Sequence, residues 1–80
     1  MDIRVRYKVI HMMGDKVRKS PNKFMSKGTA QTYANSWQHV SSVYVIVRLT
    51  TLFDGIKLIR QTHTVVRNSG WSGFEIKKVA

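Results

Sequence analysis

From Ile3 to Val9 the chain alternates without a break: Ile3, Val5, Tyr7 and Val9 are apolar, and Arg4, Arg6 and Lys8 between them are cationic. A period of two sends successive side chains to opposite faces of a strand, so this segment is a β-strand with one apolar face and one row of cations. Along an extended strand those charges stand about 6.8 Å apart, a spacing suited to neighbouring phosphates along a groove. Such a row is either a solvated sheet face or a surface for an anion. A second basic run favours the anion: Lys16, Arg18, Lys19, Lys23 and Lys27 come next along the chain, with no acid after Asp15 within the run to neutralise them. With 14 Lys plus Arg against 4 Asp plus Glu, the 80 residues carry a net charge of +10. An excess of that size repels itself in the folded state unless an anionic partner is bound.

The length implies one domain over residues 1–80, with a small core and modest stability. There is no Cys, so neither disulfides nor thiolate metal sites staple it, and a reducing cytoplasm is the expected location. No apolar run approaches the ~20 residues of a membrane span, and the charged N-terminus has no secretory apolar segment; no membrane partner is expected. A hydrophobic fraction of 42%, arranged periodically, argues against disorder.

The first strand runs from about Asp2 to Met13. Its apolar phase switches at Val9 and Ile10, which predicts a β-bulge there. Gly14 and Asp15 form a two-residue hairpin signal, with Gly at the position of a type II′ turn that needs positive φ, and set Met12 opposite Val17. The second strand, about Lys16 to Met25, contains Pro21; it therefore lies at an edge or leaves the sheet at Ser20, Pro21 and Asn22. Ser26 is a helix N-cap, after which Ala30, Tyr33, Ala34 and Trp37 share one helical face, predicting a helix over about Lys27 to Gln38. Tyr33 and Trp37 are expected to supply much of the buried area. Thr29, Gln31, Thr32, Asn35, Ser36 and Gln38 make the outer helix face polar and uncharged. A β-branched and aromatic run from Val43 to Phe53, a type I′ signal at Asp54 and Gly55, and a return from Ile56 to about Arg67 predict a hairpin at the sheet's centre. After a turn at Asn68, Ser69 and Gly70, Phe74 to Val79 is a candidate last strand. The sum is an α+β domain: an antiparallel sheet, ββαβββ in sequence order, with one helix packed on one face.

Enzymatic chemistry finds little support. Asp2 is terminal, Asp15 and Asp54 sit in turn positions and Glu75 lies on the final strand, so no acid–base pair is placed. His11, His39 and His63 are too widely spaced to read as a metal site, and no nucleophile elbow or Gly-rich phosphate loop is present. Neither a cofactor nor a metal is expected. Tyr7, Tyr33 and Trp37 fit core positions. Phe24 is either a hydrophobic staple at the helix start or a contact residue, and Trp71, between Gly70 and Gly73, either closes one end of the core or presents its indole to a base or a partner pocket. Met12 and Met13 read as core filler.

Arg4-Val-Arg-Tyr-Lys8, Gly14-Asp-Lys-Val-Arg-Lys19, Ser26-Lys-Gly-Thr-Ala30, Tyr33-Ala34 and Trp37 together resemble the N-terminal arm-binding domains of phage-type tyrosine recombinases. The likeness covers less than half the chain. It implies a small sheet laid into the DNA groove and backed by a helix, with Arg4, Arg6, Lys8, Arg18 and Lys19 contacting DNA. A recombinase continues into core-binding and catalytic domains, whereas this chain adds a hairpin and a strand. In size and layout alone it is also similar to small phage anti-CRISPR proteins, which are not enzymes and dock on surveillance complexes. Both likenesses imply a bacteriophage or mobile-element origin, and hence a bacterial host cytoplasm.

The expected function is therefore non-enzymatic nucleic-acid binding, DNA before RNA, with Arg4, Arg6, Lys8, Lys16, Arg18, Lys19, Lys23 and Lys27 on phosphates and Trp71 or Phe24 as stacking contacts. The alternative is an inhibitor of a host defence complex that docks on a protein or ribonucleoprotein, or recruits DNA to it, through the uncharged helix face and the Trp71 loop. An oligomeric structural or virion protein is a third expectation; the oligomeric state is open.

Overall fold

The alternating segment forms strand β1 (Asp2–Met13), and β2 (Lys16–Lys19) returns beside it with Met12 opposite Val17. The computed structural model describes residues 1–13, 16–37 and 43–75, so the turn at Gly14 and Asp15 lies outside the described residues. Helix α1 (Lys27–Ser36) comes next, then β3 (Tyr44–Asp54) and β4 (Lys57–Asn68). The four strands form one antiparallel sheet in the order β2-β1-β3-β4, with α1 on one face, so the α+β layout is observed. The β3–β4 hairpin is not the centre of this sheet. β1 and β3 are central, paired from Asp2 opposite Phe53 to His11 opposite Tyr44, and β4 is an edge. Phe74 and Glu75 are not in a strand, and the rest of the expected last strand lies outside the described residues.

That unbroken β1·β3 register also removes the bulge expected at Val9 and Ile10. The change of apolar phase has another cause: the sheet is covered on both sides at this end. Val9 and Ile46 pack under Ala30 and Ala34 of the helix, whereas Ile10, Val45 and Val47 face the other way and pack under Trp71 and Phe74. Strands buried on both faces need apolar residues at consecutive positions, which is the pattern of Val9-Ile10 and Tyr44 to Val47. These small aliphatic side chains are the largest fully buried ones, each contributing about 1.5 to 3 kcal/mol on burial. Tyr33 and Trp37, expected to dominate the core, are only half-buried.

β2 stops early, as Pro21 requires. Ser20 replaces the missing ladder: its N–H donates to the Val9 carbonyl (2.7 Å), and its hydroxyl accepts from the Val9 N–H (3.2 Å) and donates to the Asn22 carbonyl (2.9 Å). The chain loops out over Pro21, Asn22 and Lys23, then rejoins β1 at Phe24, which exchanges two 2.7 Å backbone bonds with Tyr7. Phe24 lies against Tyr33 (ring centroids 5.2 Å apart) and fixes the start of α1. Ser26 caps the helix as its sequence position implies, accepting from the Thr29 N–H at 3.2 Å. Described helical residues end at Ser36, with Trp37 as C-cap, while Gln38 lies outside the described residues. The helix is tied to the far edge through the buried Tyr44, whose hydroxyl accepts from Gln31 (2.8 Å) and from Arg67 of β4 (3.1 Å).

Two features of the β3–β4 hairpin differ from the sequence expectation. Asp54 pairs with Lys57, so the turn residues are Gly55 and Ile56. Gly55 has φ 62° and, among the described residues, no non-glycine residue has positive φ, a pattern that matches type II′ rather than the expected I′. Register shifts at Ile46/Val47 and Leu52/Phe53 leave Val66 and Ile59 of β4 as extra residues opposite β3, two bulges on the outer strand.

Candidate nucleic-acid interface

Residues directly opposite one another in an antiparallel sheet share a face, so the register arranges the side of the sheet away from α1 in rows. Reading across β1, β3 and β4, these are Asp2, Phe53 and Leu58; Arg4, Thr51 and Gln61; Arg6, Leu49 and His63; Lys8, Val47 and Val65. The next row holds Lys19 of β2 beside Ile10 and Val45. β1 thus forms the cationic border of a floor made by β3. Thr51 is buried in that floor and receives a 3.2 Å hydrogen bond from Gln61.

The loop made by Pro21 brings in a further cation. Lys23 lines a groove with Arg4 and Arg6 over Leu49, Thr51 and Phe53. Lys8, half-buried, has its pKa lowered, first by desolvation and then by repulsion from Lys19 and Lys23. His63 is also held below its ordinary value, first by burial and then by Lys8, Lys23 and Lys19. Lys8 and His63 therefore both lie within electrostatic reach of Lys19 and Lys23. Arg4 lies over the Phe53 ring at 4.9 Å, and Arg6 donates to the Val5 carbonyl at 2.8 Å; neither contact neutralises a charge.

Of the eight cations assigned to phosphates from sequence, Arg4, Arg6, Lys8, Lys19 and Lys23 share this face. Lys16 and Arg18 lie opposite Met13 and His11, on the helix side, and Lys27 opens α1. Phe24 is on the helix side too, packed into the core beside Tyr33. Trp71 is half-buried over Ile10, Val45 and Val47, 5.0 Å from Phe74. Asn68 holds it there, accepting from the N–H groups of Gly70 (3.0 Å) and Trp71 (2.6 Å) and donating to the Trp71 carbonyl (3.1 Å). His63 is the member that sequence reasoning missed, because only the β3·β4 register puts it in line with Arg6.

Among the described residues no three His, Asp or Glu side chains gather as metal ligands; His11 and His63 lie on opposite faces of the sheet. No described helix is long and apolar enough to cross a membrane. Comparison of the chain with protein-family models, curated proteins and solved structures gave no match.

Proposed function

We propose that this chain is a non-enzymatic nucleic-acid-binding protein that holds DNA phosphates on the sheet face opposite its helix. One observation carries this reading: cations from three separate segments, β1, β2 and the Pro21 loop, converge on a single face where Lys19 and Lys23 both repel Lys8. A polyanion relieves that repulsion and releases its own counterions. The resemblance to recombinase arm-binding domains implies the same use of Arg4, Arg6, Lys8 and Lys19, though it also implicates Arg18, which faces the other way.

The test is fluorescence anisotropy with duplex DNA, single-stranded DNA and RNA over a salt series. Five neutralised phosphates give a log K against log salt slope of about −4.5 on duplex. Replacing Arg4, Arg6 and Lys8 by Gln lowers affinity for every sequence and makes the slope shallower by about 3. Replacing Lys16, Arg18 and Lys27 by Gln removes the same charge from elsewhere and has a much smaller effect. A flat salt response, or equal losses from the two triple variants, rejects the proposal.

A second reading, docking on a host defence complex, has its support in α1, where Thr29, Thr32, Asn35 and Ser36 form an exposed face without charge. A stoichiometric protein partner that survives nuclease treatment, and is lost when Thr32 and Asn35 are changed to Lys, would favour it over DNA binding.

A further inference from the structure

Among the described residues, the N-terminal half of β1 has an open edge. Tyr7 and Val9 direct their backbone N–H and C=O groups toward Phe24 and Ser20, whereas Met12 donates the other way, to Val43 beside β3. Backbone groups alternate sides along a strand, so Ile3 and Val5 present theirs on the same side as Tyr7. Among the described residues no strand lies there, because β2 and its continuation end at Phe24. The Arg6 guanidinium reaches this stretch, donating to the Val5 carbonyl. Ile3 is 69% exposed.

We propose that this edge, Asp2 to Arg6, pairs antiparallel with the same edge of a second copy, about a two-fold axis at Arg4. The five residues are self-complementary in that register. Ile3 and Val5 of one copy exchange backbone bonds with Val5 and Ile3 of the other, and their side chains meet on the helix side of the sheet. On the basic side Asp2 comes opposite Arg6 of the second copy, and the reverse pair repeats it, so each acid faces a cation. Arg4 would meet its own equivalent at the axis, but its guanidinium is drawn over Phe53 toward β3, away from that contact. Phe24, seated on Tyr7, stops the register slipping two residues further along β1. A two-fold perpendicular to the sheet leaves both basic faces on the same side, which doubles the cationic surface.

The net charge of +10 on each copy opposes association, and salt screens charges beyond about 8 Å at physiological strength. Pairing should therefore strengthen with added salt, the reverse of polyanion binding. The dimer does not depend on the nucleic-acid reading, and its test uses the full chain freed of nucleic acid.

Sedimentation equilibrium over a concentration series should show a mass rising from 9.2 kDa to twice that value and no further, at lower concentration when salt is higher. Val5→Pro removes an edge N–H that the β1·β3 ladder does not use, so the variant should keep its circular dichroism and stay monomeric. Arg6→Asp sets two acids opposite each other and should also abolish the dimer, while Asp2→Arg combined with Arg6→Asp restores it. The charge pair decides the matter even if Val5→Pro fails to fold. A monomer at every concentration, growth beyond the dimer, or a dimer that survives Arg6→Asp overturns the proposal; a strict monomer would leave the edge to a strand of another protein.

Discussion

At the helix end of the sheet Val9, Ile10, Val45, Ile46 and Val47 are all at most 1% exposed, whereas at the hairpin end Ile3, Leu58 and Ile59 of β1 and β4 stand in solvent and Ile56 at the turn is fully exposed. β1 and β3 run through both ends, so strand propensity does not separate them. The difference is cover: α1 on one face, and Trp71 with Phe74 on the other, reach only the first end. An apolar layer over Arg4 and Arg6 would strip water from unpaired guanidinium groups, a penalty of several kcal/mol per ion even after relaxation. Lys8 sits at the boundary, and its lowered pKa reports the start of that penalty. Stability is concentrated where the residues are apolar on both faces, and the cationic face lies where neither α1 nor Trp71 and Phe74 reach.

The largest expected contrast is between two isoleucines of the same strand. Ile10→Ala should destabilise by about 2 to 5 kcal/mol. That is a large share of the roughly 5 to 15 kcal/mol typical of a whole domain. Ile3→Ala, measured in dilute solution, should stay within about 0.5 kcal/mol. Urea unfolding of both decides it; similar losses would mean the two ends are equally part of the core. Next in size is Asn68→Ala, which unties the three hydrogen bonds holding the Trp71 loop and should cost about 1 to 2 kcal/mol. Iodide quenching of Trp71 should rise in that variant, in a Trp37→Phe background, while phosphate-face binding is unchanged.

The smallest effect is on pH, and each end has its own histidine. His11 is buried between Tyr33 and Trp37, and its Nδ1 has no hydrogen-bond partner among the described residues. Burial first, and Arg18 second, hold its pKa below 6.5. The unfolded chain then binds the proton more readily, so stability is full above pH 6.5, falls as pH drops from there, and levels off below the folded pKa. His11→Phe should flatten that profile in pH-dependent urea melts. At the open end, a polyanion that neutralises Lys8, Lys19 and Lys23 lets His63 take up a proton, so duplex affinity should increase on acidification. His63→Gln should remove that increase; if it does not, His63 stands outside the bound surface.

Local signals were legible in the sequence wherever one element decided the outcome. The alternation from Ile3 to Val9 marked β1, Pro21 ended β2, and Ser26 with Ala30 and Ala34 marked the helix and its buried face. What could not be read depended on partners distant in sequence. The phase change at Val9 and Ile10 looks like a bulge until Trp71 and Phe74 are seen to cover the second face. The placing of β3 beside β1 is a choice among strands, and the Gly55–Ile56 turn differs from the expected one by a single residue of register. The candidate site divides the same way: Arg4, Arg6 and Lys8 follow from periodicity, whereas the inclusion of Lys23 and His63, and the departure of Arg18 to the helix side, follow only from pairing.

β4 and the uncovered end of β1 are unequally guarded. β4 carries the extra residues Val66 and Ile59, with Lys57 and Arg60 nearby, devices that spoil a flat template for a passing chain. The short stretch Asp2 to Arg6 carries charges too, but its register is unbroken and no extra residue bends it away. Fibril growth needs two adhesive rims on every molecule so that each addition exposes a new one; a molecule with one rim blunted can join once and then terminates.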